Sequence, residues 1–349
     1  MTLADRLPGR RARIAIGVAV VGILVLLGFT VGPGLRSVLG LILVLSIFAV
    51  AYGVLLGFAN QPSLGQSLFF GLGAYSVILP IVNFEWGFWQ VVGLALGLGL
   101  VAALLVGAVA VRLTEAYHVI VTALFASVAN LAANNFTPIT GGEGGLSTQI
   151  PPVPLGPLSF SVYEPVQHYL LTLAFAAGSY LFFYVLVRSP VGTVWQAIRD
   201  NEARAVSAGY NVYAYKLLAF TIAGAFTALS GALYAVHLRY ASSEFFGLSW
   251  SVIPFLWVLI GGIGTLAGPL VGVALFTIFQ FYVSQLWTHY LILFGILMIV
   301  VLRWAPLGIV GYAVQLERPG WAPRGVWSRA TGRFSMRGQS APKGRGVGR

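Results

Sequence analysis

The chain has 349 residues, of which 58% are apolar and only 8% are charged, and it contains no cysteine. An ordinary globular domain carries about 25% charged residues, so this composition excludes a soluble fold. The missing cysteine excludes disulfides, thiolate metal sites and cysteine nucleophiles. The net charge of +11 comes mostly from the two ends, with +3 in residues 1–13 and +7 in residues 316–349. We expect no nucleic-acid partner, because a nucleic-acid-binding domain carries its basic groups on a folded face.

Apolar segments long enough to cross about 30 Å of hydrocarbon follow one another along most of the chain. The first comes directly after the basic lead 1–13 and has no small-residue cleavage site, so we interpret it as a retained span. The segments predict an all-α, polytopic membrane domain over residues 14–315, with about ten transmembrane helices that include short ones interrupted by glycine or proline. They cover residues 14–31, 37–58, 67–83, 88–111, 117–135, 168–187, 217–238, 251–267, 270–286 and 289–303.

The positions of Lys and Arg predict the orientation, because cytoplasmic loops are enriched in these residues. Ten spans place both termini and the charged loop 188–216 in the cytoplasm, and the loop 136–167, which has no basic residue, outside. Arg36 and Arg239 are exceptions, since each lies at an outer boundary. The tail 316–349 is rich in Gly, Pro and Arg, so we expect a disordered cytoplasmic segment that can contact membrane lipid.

Ionisable side chains are nearly absent from the predicted spans. Coupling to protons or sodium is therefore disfavoured, because an ion in hydrocarbon needs charge compensation at membrane depth. His118 and His237 lie near span ends, where an interfacial imidazole is the simpler interpretation. No segment fits G-x-x-x-x-G-K-[ST], H-E-x-x-H or G-x-S-x-G. We therefore expect that the chain has no P-loop ATPase activity and is not an enzyme, and that it has no metal site or cofactor of its own. A polar solute would then move passively or with energy from a partner.

The segment 194–209 in the charged cytoplasmic loop predicts a short amphipathic helix. Its apolar side is formed by Trp195, Ile198, Ala205 and Val206, and its polar side by Gln196, Asp200, Arg204 and Ser207. Glu202 intrudes on the apolar side, where a docked partner protein could pair with it. An interfacial loop helix that follows the positive-inside bias is the alternative.

Two glycine-interrupted segments, at residues 57–75 and 261–272, are candidates for a solute pathway. Broken spans often line such pathways, because freed backbone groups are tolerated only where they face a cavity or protein. Close packing through small residues is the alternative. A polar stripe on the fifth span is equally compatible with a solute path and with interhelical hydrogen bonds. The candidate residues are Asn60, Gln61, Ser63, Gln66 and Ser67 in the first broken segment, and Ser127, Asn130 and Asn134 in the stripe.

Five ordered motifs over about residues 37–312 resemble the permease subunits of branched-chain amino acid ATP-binding cassette (ABC) importers, and the M-type permease more than its H-type partner. QPSLGQSLFFGLGAY is similar to the family's S-L-G-x-x-x-F-F-G-x-G-A-Y signature. Residues 115–147 are similar to its G-I-Y-F-A-I-V-T-L run followed by T-G-G-x-x-G. Residues 197–235 resemble its coupling loop and following span, and GGIGTLAGPLVG and WAPLGIVG complete the set.

The resemblance implies an ABC importer permease that forms the translocation pathway for branched-chain amino acids in a prokaryotic inner membrane. It implies as partners a second, H-type permease subunit, two ATPase subunits that use the ATP, and an extracytoplasmic solute-binding protein. The stretch from Thr140 to Gly145 matches the pattern expected to dock that binding protein. The candidate contacts with the ATPase are Ile198, Arg199, Glu202, Arg204 and Gly209.

The sequence leaves the solute open. The family often has histidine where Gln66 stands and an aromatic residue where His118 stands, and both departures bear on the solute. Urea and amide importers use very similar permeases, so an importer of urea or short amides is one alternative. A stand-alone channel or facilitator for a small polar solute is another. A polytopic enzyme acting on lipid is disfavoured, because no His/Asp/Glu/Ser cluster lies near an interface.

Overall fold

The computed structural model describes residues 10–155, 158–286, 295 and 308–310. The predicted span 289–303, apart from Gly295, the tail 316–349 and most of the lead 1–13 lie outside these residues.

The described part of the chain is helical except for four short strands, two 3₁₀ turns and connecting loops. The helices are α1 (Arg10–Thr30), α2 (Pro33–Gly57), α3 (Gln66–Phe84), α4 (Phe88–Ala110), α5 (Glu115–Asn135), α6 (Thr137–Thr140), α7 (Pro165–Arg188), α8 (Pro190–Asp200), α9 (Glu202–Ser207), α10 (Val212–Leu238), α11 (Ser249–Gly261) and α12 (Gly268–Leu286). The strands are β1 (Leu146–Ser147), β2 (Val153–Leu155), β3 (Leu158–Phe160) and β4 (Tyr240–Ala241). The 3₁₀ turns cover Gly142–Gly144 and Ser243–Phe246.

Six helices among the described residues are long and apolar enough to cross a membrane, namely α2, α3, α4, α5, α7 and α10. Together with α1, α11 and α12, they account for nine of the predicted spans, and the tenth lies outside the described residues. The predicted polytopic helical membrane fold is confirmed.

The predicted span 251–267 is too long. α11 ends at Gly261, because Gly262 and Gly264 adopt φ values of 129° and 80° and turn the chain back towards α12. Its 13 residues measure only about 20 Å, less than the hydrocarbon thickness. α11 is therefore a half-length helix.

α10 lies at the centre of the bundle and packs against α2, α3 and α4. Glycines allow this close approach. A Cβ atom at Gly73 would lie 1.9 Å from the carbonyl oxygen of Ala228, and one at Gly231 would lie 2.0 Å from that of Phe70. The backbones of α3 and α10 are thus in direct contact, as expected for helix packing through small residues.

α2, α7 and α10 run between two ends of the bundle. One end carries α8 and α9, and we call it the α8–α9 end; the opposite end, called the far end, carries the loop 136–164 between α5 and α7. There β2 pairs with β3, and β1 pairs with β4, antiparallel in both cases. The pairing of β1 with β4 joins the loop 136–164 to the segment that follows α10.

α3 and α11 both begin inside the bundle, and their first turns meet. The backbone N–H of Ser67 donates to Oγ of Ser251 at 2.9 Å, and both residues are fully buried. From this point α3 runs to the far end, where Tyr75 Oη donates to the carbonyl oxygen of Thr140. α11 runs to the α8–α9 end, where Gly264 lies against Gly57.

Candidate functional site

The α8–α9 segment consists of two helices, so the prediction of one helix over residues 194–209 is wrong. Asn201 is extended, with φ −164° and ψ 101°, and it separates α8 from α9. Its Oδ1 accepts a hydrogen bond from the backbone N–H of Arg204 at 2.9 Å and caps α9. Asparagine is among the best residues for this position, because its side chain satisfies an N–H group that the first turn leaves unpaired.

The break also changes which side chains are buried. Trp195, Ile198 and Ala205 pack into the protein as the helical wheel predicts, with 0%, 4% and 4% of their surface exposed. The indole Nε1 of Trp195 donates to the carbonyl oxygen of Tyr215 at 2.8 Å. Val206 is 58% exposed, contrary to the prediction, because the extended residue Asn201 resets the helical phase between α8 and α9.

Arg199 connects this segment to the end of α2. Its Nη1 donates to the carbonyl oxygen of Gly57 at 2.8 Å, and its guanidinium forms an ion pair with Asp200 at 3.3 Å. The carbonyls of a last helical turn lack partners within the helix, so a guanidinium there is favourable. This contact joins α8 to the C-terminal end of α2, where the irregular segment 58–65 begins.

The other predicted coupling residues differ in their surroundings. Glu202 pairs with Lys216 of α10 at 2.7 Å, so its partner lies in the same chain. Arg204 is exposed, and within the described part of the chain its side chain has no hydrogen bond or ion pair. Gly209 has φ +88° with open space around its Cβ position, and it turns the chain between α9 and α10. α9 therefore presents Arg204 and Val206 outward.

The predicted pathway residues Gln66 and Ser67 lie in a buried polar cluster between α3, α10 and α11. Thr227 Oγ1 donates to Oε1 of Gln66 at 3.1 Å, and Ser251 Oγ donates to Ser67 Oγ at 2.9 Å. All four side chains have 0% exposure. The Nε2 group of Gln66 has no hydrogen-bond partner among the described residues. We call these residues, Gln66, Ser67, Thr227 and Ser251, the polar cluster.

The irregular segment 58–65 joins α2 to this cluster and is enclosed by protein. Tyr52 Oη donates to the carbonyl oxygen of Ser63 at 2.9 Å, and the N–H of Leu64 donates to Thr122 Oγ1 at 3.3 Å. Gln61 is 4% exposed, and neither atom of its amide group has a partner within the described residues. Asn60 has a left-handed conformation, with φ 52°. The backbone groups that are freed where α2 ends therefore face protein. Close packing through small residues, the alternative interpretation of this segment, occurs in the same place.

The predicted stripe on α5 divides into two parts. Asn130 Nδ2 donates to the carbonyl oxygen of Ser243 at 2.8 Å, and Asn134 Nδ2 donates to Asn130 Oδ1 at 3.3 Å. Ser127 is exposed and donates only to Ala123 of its own helix. The asparagines therefore hold α5 to the segment before α11, and Ser127 does not join them.

A cavity of about 570 Å³ lies between α4, α7 and α10. Its lining is apolar and contains none of the predicted pathway residues. His118, the second departure from the family pattern, is 4% exposed, with Nδ1 3.0 Å from the carbonyl oxygen of Ala110 and its ring edge-on to Phe220. It packs between helices at the α8–α9 end.

Thr227 and Ser251, two members of the polar cluster, were not among the residues predicted from the sequence. The segment around Ser251 carries one signal, because SLFFGLGAYSVI at residues 67–78 recurs with one deletion as SEFFGLSWSVI at residues 243–253, although Ser251 corresponds there to Ser76 and not to its partner Ser67. Each copy leads into or contains one of the two helices whose first turns meet. No comparable signal marks Thr227, which is one of many hydroxyl residues on an apolar helix.

Comparison with known proteins identifies the family. The family model described as "Branched-chain amino acid transport system / permease component" matches residues 34–302. The LivM permease protein of the high-affinity branched-chain amino acid transport system of Escherichia coli is 28% identical over 303 residues, which are 81% of this chain and 71% of that protein.

Two further relatives match shorter parts. A probable branched-chain amino acid transport permease protein LivM of Methanocaldococcus jannaschii is 30% identical over 147 residues, 38% of this chain and 42% of that protein. The ribose import permease protein RbsC of Haemophilus influenzae is 28% identical over 104 residues, 30% of this chain and 31% of that protein. No solved structure matches. Because the family model covers most of the chain, this protein belongs to the family of permease components of branched-chain amino acid transport systems, as its M-type motifs predict.

Proposed function

We propose that this chain forms the translocation pathway for branched-chain amino acids in an ABC importer of a prokaryotic inner membrane. Its partners in this proposal are a second permease subunit, two ATPase subunits and an extracytoplasmic solute-binding protein. The α8–α9 end faces the cytoplasm, as do both termini. Membership of the family supports the permease role, and the names of the LivM relatives support the solute.

The observation that carries the proposal is the construction of the α8–α9 segment. α8 is anchored by the buried Trp195 and Ile198, whereas α9 displays Arg204 and the apolar Val206 to solvent. An exposed surface that combines a guanidinium with apolar side chains suits a protein partner, since arginine is enriched at such interfaces. A loop helix resting at the lipid headgroups would have no need of the hydrogen bonds that hold α8 in place.

The contacts around Arg199 suggest how ATPase movement reaches the pathway. Arg199 holds the carbonyl oxygen of Gly57, and the next residues are the irregular segment 58–65. That segment leads directly to Gln66 and Ser67 in the polar cluster. A displacement of α8 would pull on this segment, and the polar cluster would separate where α3 and α11 meet.

In the open state, the groups that now lack partners would become available to a solute. The amide group of Gln61 and Nε2 of Gln66 supply donors and an acceptor to an amino acid without placing a formal charge inside the bundle. Their present burial, at 4% and 0% exposure, corresponds to a closed pathway.

The test is to reconstitute the complete transporter in proteoliposomes with the Arg204→Ala variant. We expect ATP-driven uptake to fall by about ten-fold or more and less ATPase to co-purify, because loss of a charged contact at an interface costs about 2 kcal/mol. Arg112→Ala is the matched control, since Arg112 is exposed at the same end but stacks on Tyr213 outside the segment.

A second variant distinguishes docking of the ATPase from transmission of its movement to the pathway. Arg199→Gln should leave ATPase binding intact and reduce uptake, because it breaks the bond to Gly57 and not the outward surface of α9. Unchanged uptake and ATPase binding in Arg204→Ala would remove α9 as the docking surface. Equal loss in Arg112→Ala would show that general positive charge, rather than this segment, is responsible.

A further inference from the structure

The far end of the bundle contains a polar pocket of about 170 Å³ that the proposed function does not use. It lies where α2 and α7 begin and α10 ends. Its lining includes two arginines, Arg36 and Arg239, and two histidines, His168 and His237, and no carboxylate. Arg36 and Arg239, the two exceptions to the positive-inside pattern, therefore line the same pocket.

The two histidines form a hydrogen-bonded pair in the pocket wall. His168 Nε2 lies 2.9 Å from His237 Nδ1, and His237 Nε2 lies 3.3 Å from Oγ of Ser37. One proton is shared along the bond between the rings, so the two imidazoles cannot both be protonated on that edge. His168 Nδ1 is buried without a hydrogen-bond partner among the described residues. The pair therefore retains an unused ring nitrogen.

The two arginines are held in place but not neutralised. Arg36 Nη2 donates to the carbonyl oxygen of Val31 at 2.8 Å, whereas its buried Nε has no partner within the described residues. The guanidinium of Arg239 lies 4.2 Å from the ring centre of Tyr163. Both ion pairs found in the described part of the chain lie at the α8–α9 end. Glu164, which precedes α7, is exposed and does not line the pocket.

The backbone adds to the positive potential. α2 and α7, with 25 and 24 residues, both begin at the pocket, and neither has a side-chain cap. The N-terminus of a long helix carries roughly half a positive charge. The C-terminus of α10, which also lies at the pocket, carries roughly half a negative charge, so the three helix ends together leave a positive excess. Arg239 itself has φ +57°, a conformation that favours glycine and that an arginine rarely adopts. Two guanidiniums and two helix N-termini around one cavity make a site for an anion.

We propose that this pocket binds the phosphate group of a phospholipid from the adjacent leaflet. Guanidinium groups match phosphate oxygens in pairs, which makes arginine the usual residue for such a site. The proposal is independent of the transported solute and of the ATPase contacts.

The surroundings favour a lipid over a soluble anion. Tyr169 lines the pocket, and its Oη donates to the carbonyl oxygen of Leu24, so α1 runs beside the pocket. α1 and the first turn of α2 also carry three large, strongly exposed apolar side chains, Leu26 at 62%, Phe29 at 59% and Leu35 at 44%, as expected for a surface that faces lipid. Acyl chains can cover this surface while the phosphate occupies the pocket, whereas a soluble anion would leave it bare.

The test is native mass spectrometry of the full chain, purified in mild detergent, delipidated and then supplied with phosphatidylglycerol. We expect the wild-type protein to retain the lipid and Arg239→Gln to weaken retention about ten-fold, as expected for one lost charged hydrogen bond. Diacylglycerol with the same acyl chains, which lacks the phosphate, should not be retained. Arg188→Gln is the matched control, because Arg188 stacks on Tyr184 at 3.9 Å at the other end.

Equal retention by wild type and Arg239→Gln would overturn the site, and so would an equal loss in Arg188→Gln. Displacement of the lipid by inorganic phosphate at the same concentration would overturn the lipid as the occupant. Ser37→Leu provides a second variant that keeps every cationic group and fills the pocket, and it should also lose the lipid. A Ser37→Leu protein that folds and binds lipid like the wild type would contradict the proposal.

Discussion

Ser251 shows how one hydroxyl can hold two helices together inside an apolar bundle. Its Oγ accepts from the backbone of Ser67 and donates to the side chain of the same residue. The first N–H groups of any helix lack partners within the helix, and in hydrocarbon they cannot turn to water. The meeting of α3 and α11 at mid-bundle therefore depends on side chains, and Ser251 supplies both the donor and the acceptor.

Ser251→Ala should lower the stability of the protein in detergent by about 1–2 kcal/mol, because it leaves the buried N–H of Ser67 without a partner. Thermal unfolding, followed by the loss of monodisperse protein, measures this effect. Ser127→Ala is the control, since Ser127 is exposed and bonds only within its own helix. Equal midpoints for the two variants would show that the bridge contributes nothing.

Glycine governs packing at the scale of the helices. α3 and α10 approach each other closely at Gly73 and Gly231, where backbone carbonyls occupy the space of a side chain. Other glycines in the same bundle face open space, and a Cβ atom at Gly97 of α4 would meet nothing within 4 Å. In the sequence, all of these glycines are small residues in apolar helices. Only the packing shows which of them contact a neighbouring helix and which face open space.

Gly231→Ala should destabilise the bundle by about 1–3 kcal/mol, because the new methyl group collides with the backbone of α3 and the helices must separate. Gly97→Ala should be neutral or slightly stabilising, since alanine favours the helix and has room. Both variants can be compared by thermal unfolding in one detergent. A Gly231→Ala protein as stable as Gly97→Ala would contradict the close contact between α3 and α10.

At the scale of the whole molecule, the bundle is sealed along the predicted pathway. The polar cluster has no solvent exposure, and the irregular segment before it is enclosed by α5, α11 and their connections. The hydroxyl groups of Thr227 and Ser251 pair with Gln66 and Ser67 across helices, where an open channel would be lined with water. This closed arrangement agrees with the proposal that partner subunits open the pathway.

The purified chain alone, reconstituted in liposomes without partners, should therefore show no leucine or urea flux above that of empty vesicles. A radiolabelled-solute assay measures this directly, and the complete transporter with ATP is the positive control. Flux by the chain alone would favour the facilitator. Urea transport by the complete assembly, in the absence of leucine transport, would instead replace the proposed solute.

The helical membrane fold was predictable from the sequence because hydrocarbon forces every backbone polar group to bond within its own segment, so length and hydropathy reveal the spans. The five ordered motifs likewise identified the family. The break at Asn201 was not predictable from the helical wheel, because the wheel assumes one continuous helix and neither glycine nor proline marks the break in residues 194–208. The exposure of Val206 follows from that break.

Contacts between distant segments were decided only by the tertiary structure. Residues 67 and 251, or 36 and 239, are far apart in the chain, and nothing local in their patterns states that they meet. Composition and periodicity report how each segment relates to the membrane, whereas partners across the bundle depend on how the helices pack. The sequence by itself thus determined a multi-pass permease of this family. The packing of α2, α3, α7, α10 and α11 decided where its polar groups come together, because only that packing removes them from water and requires them to pair.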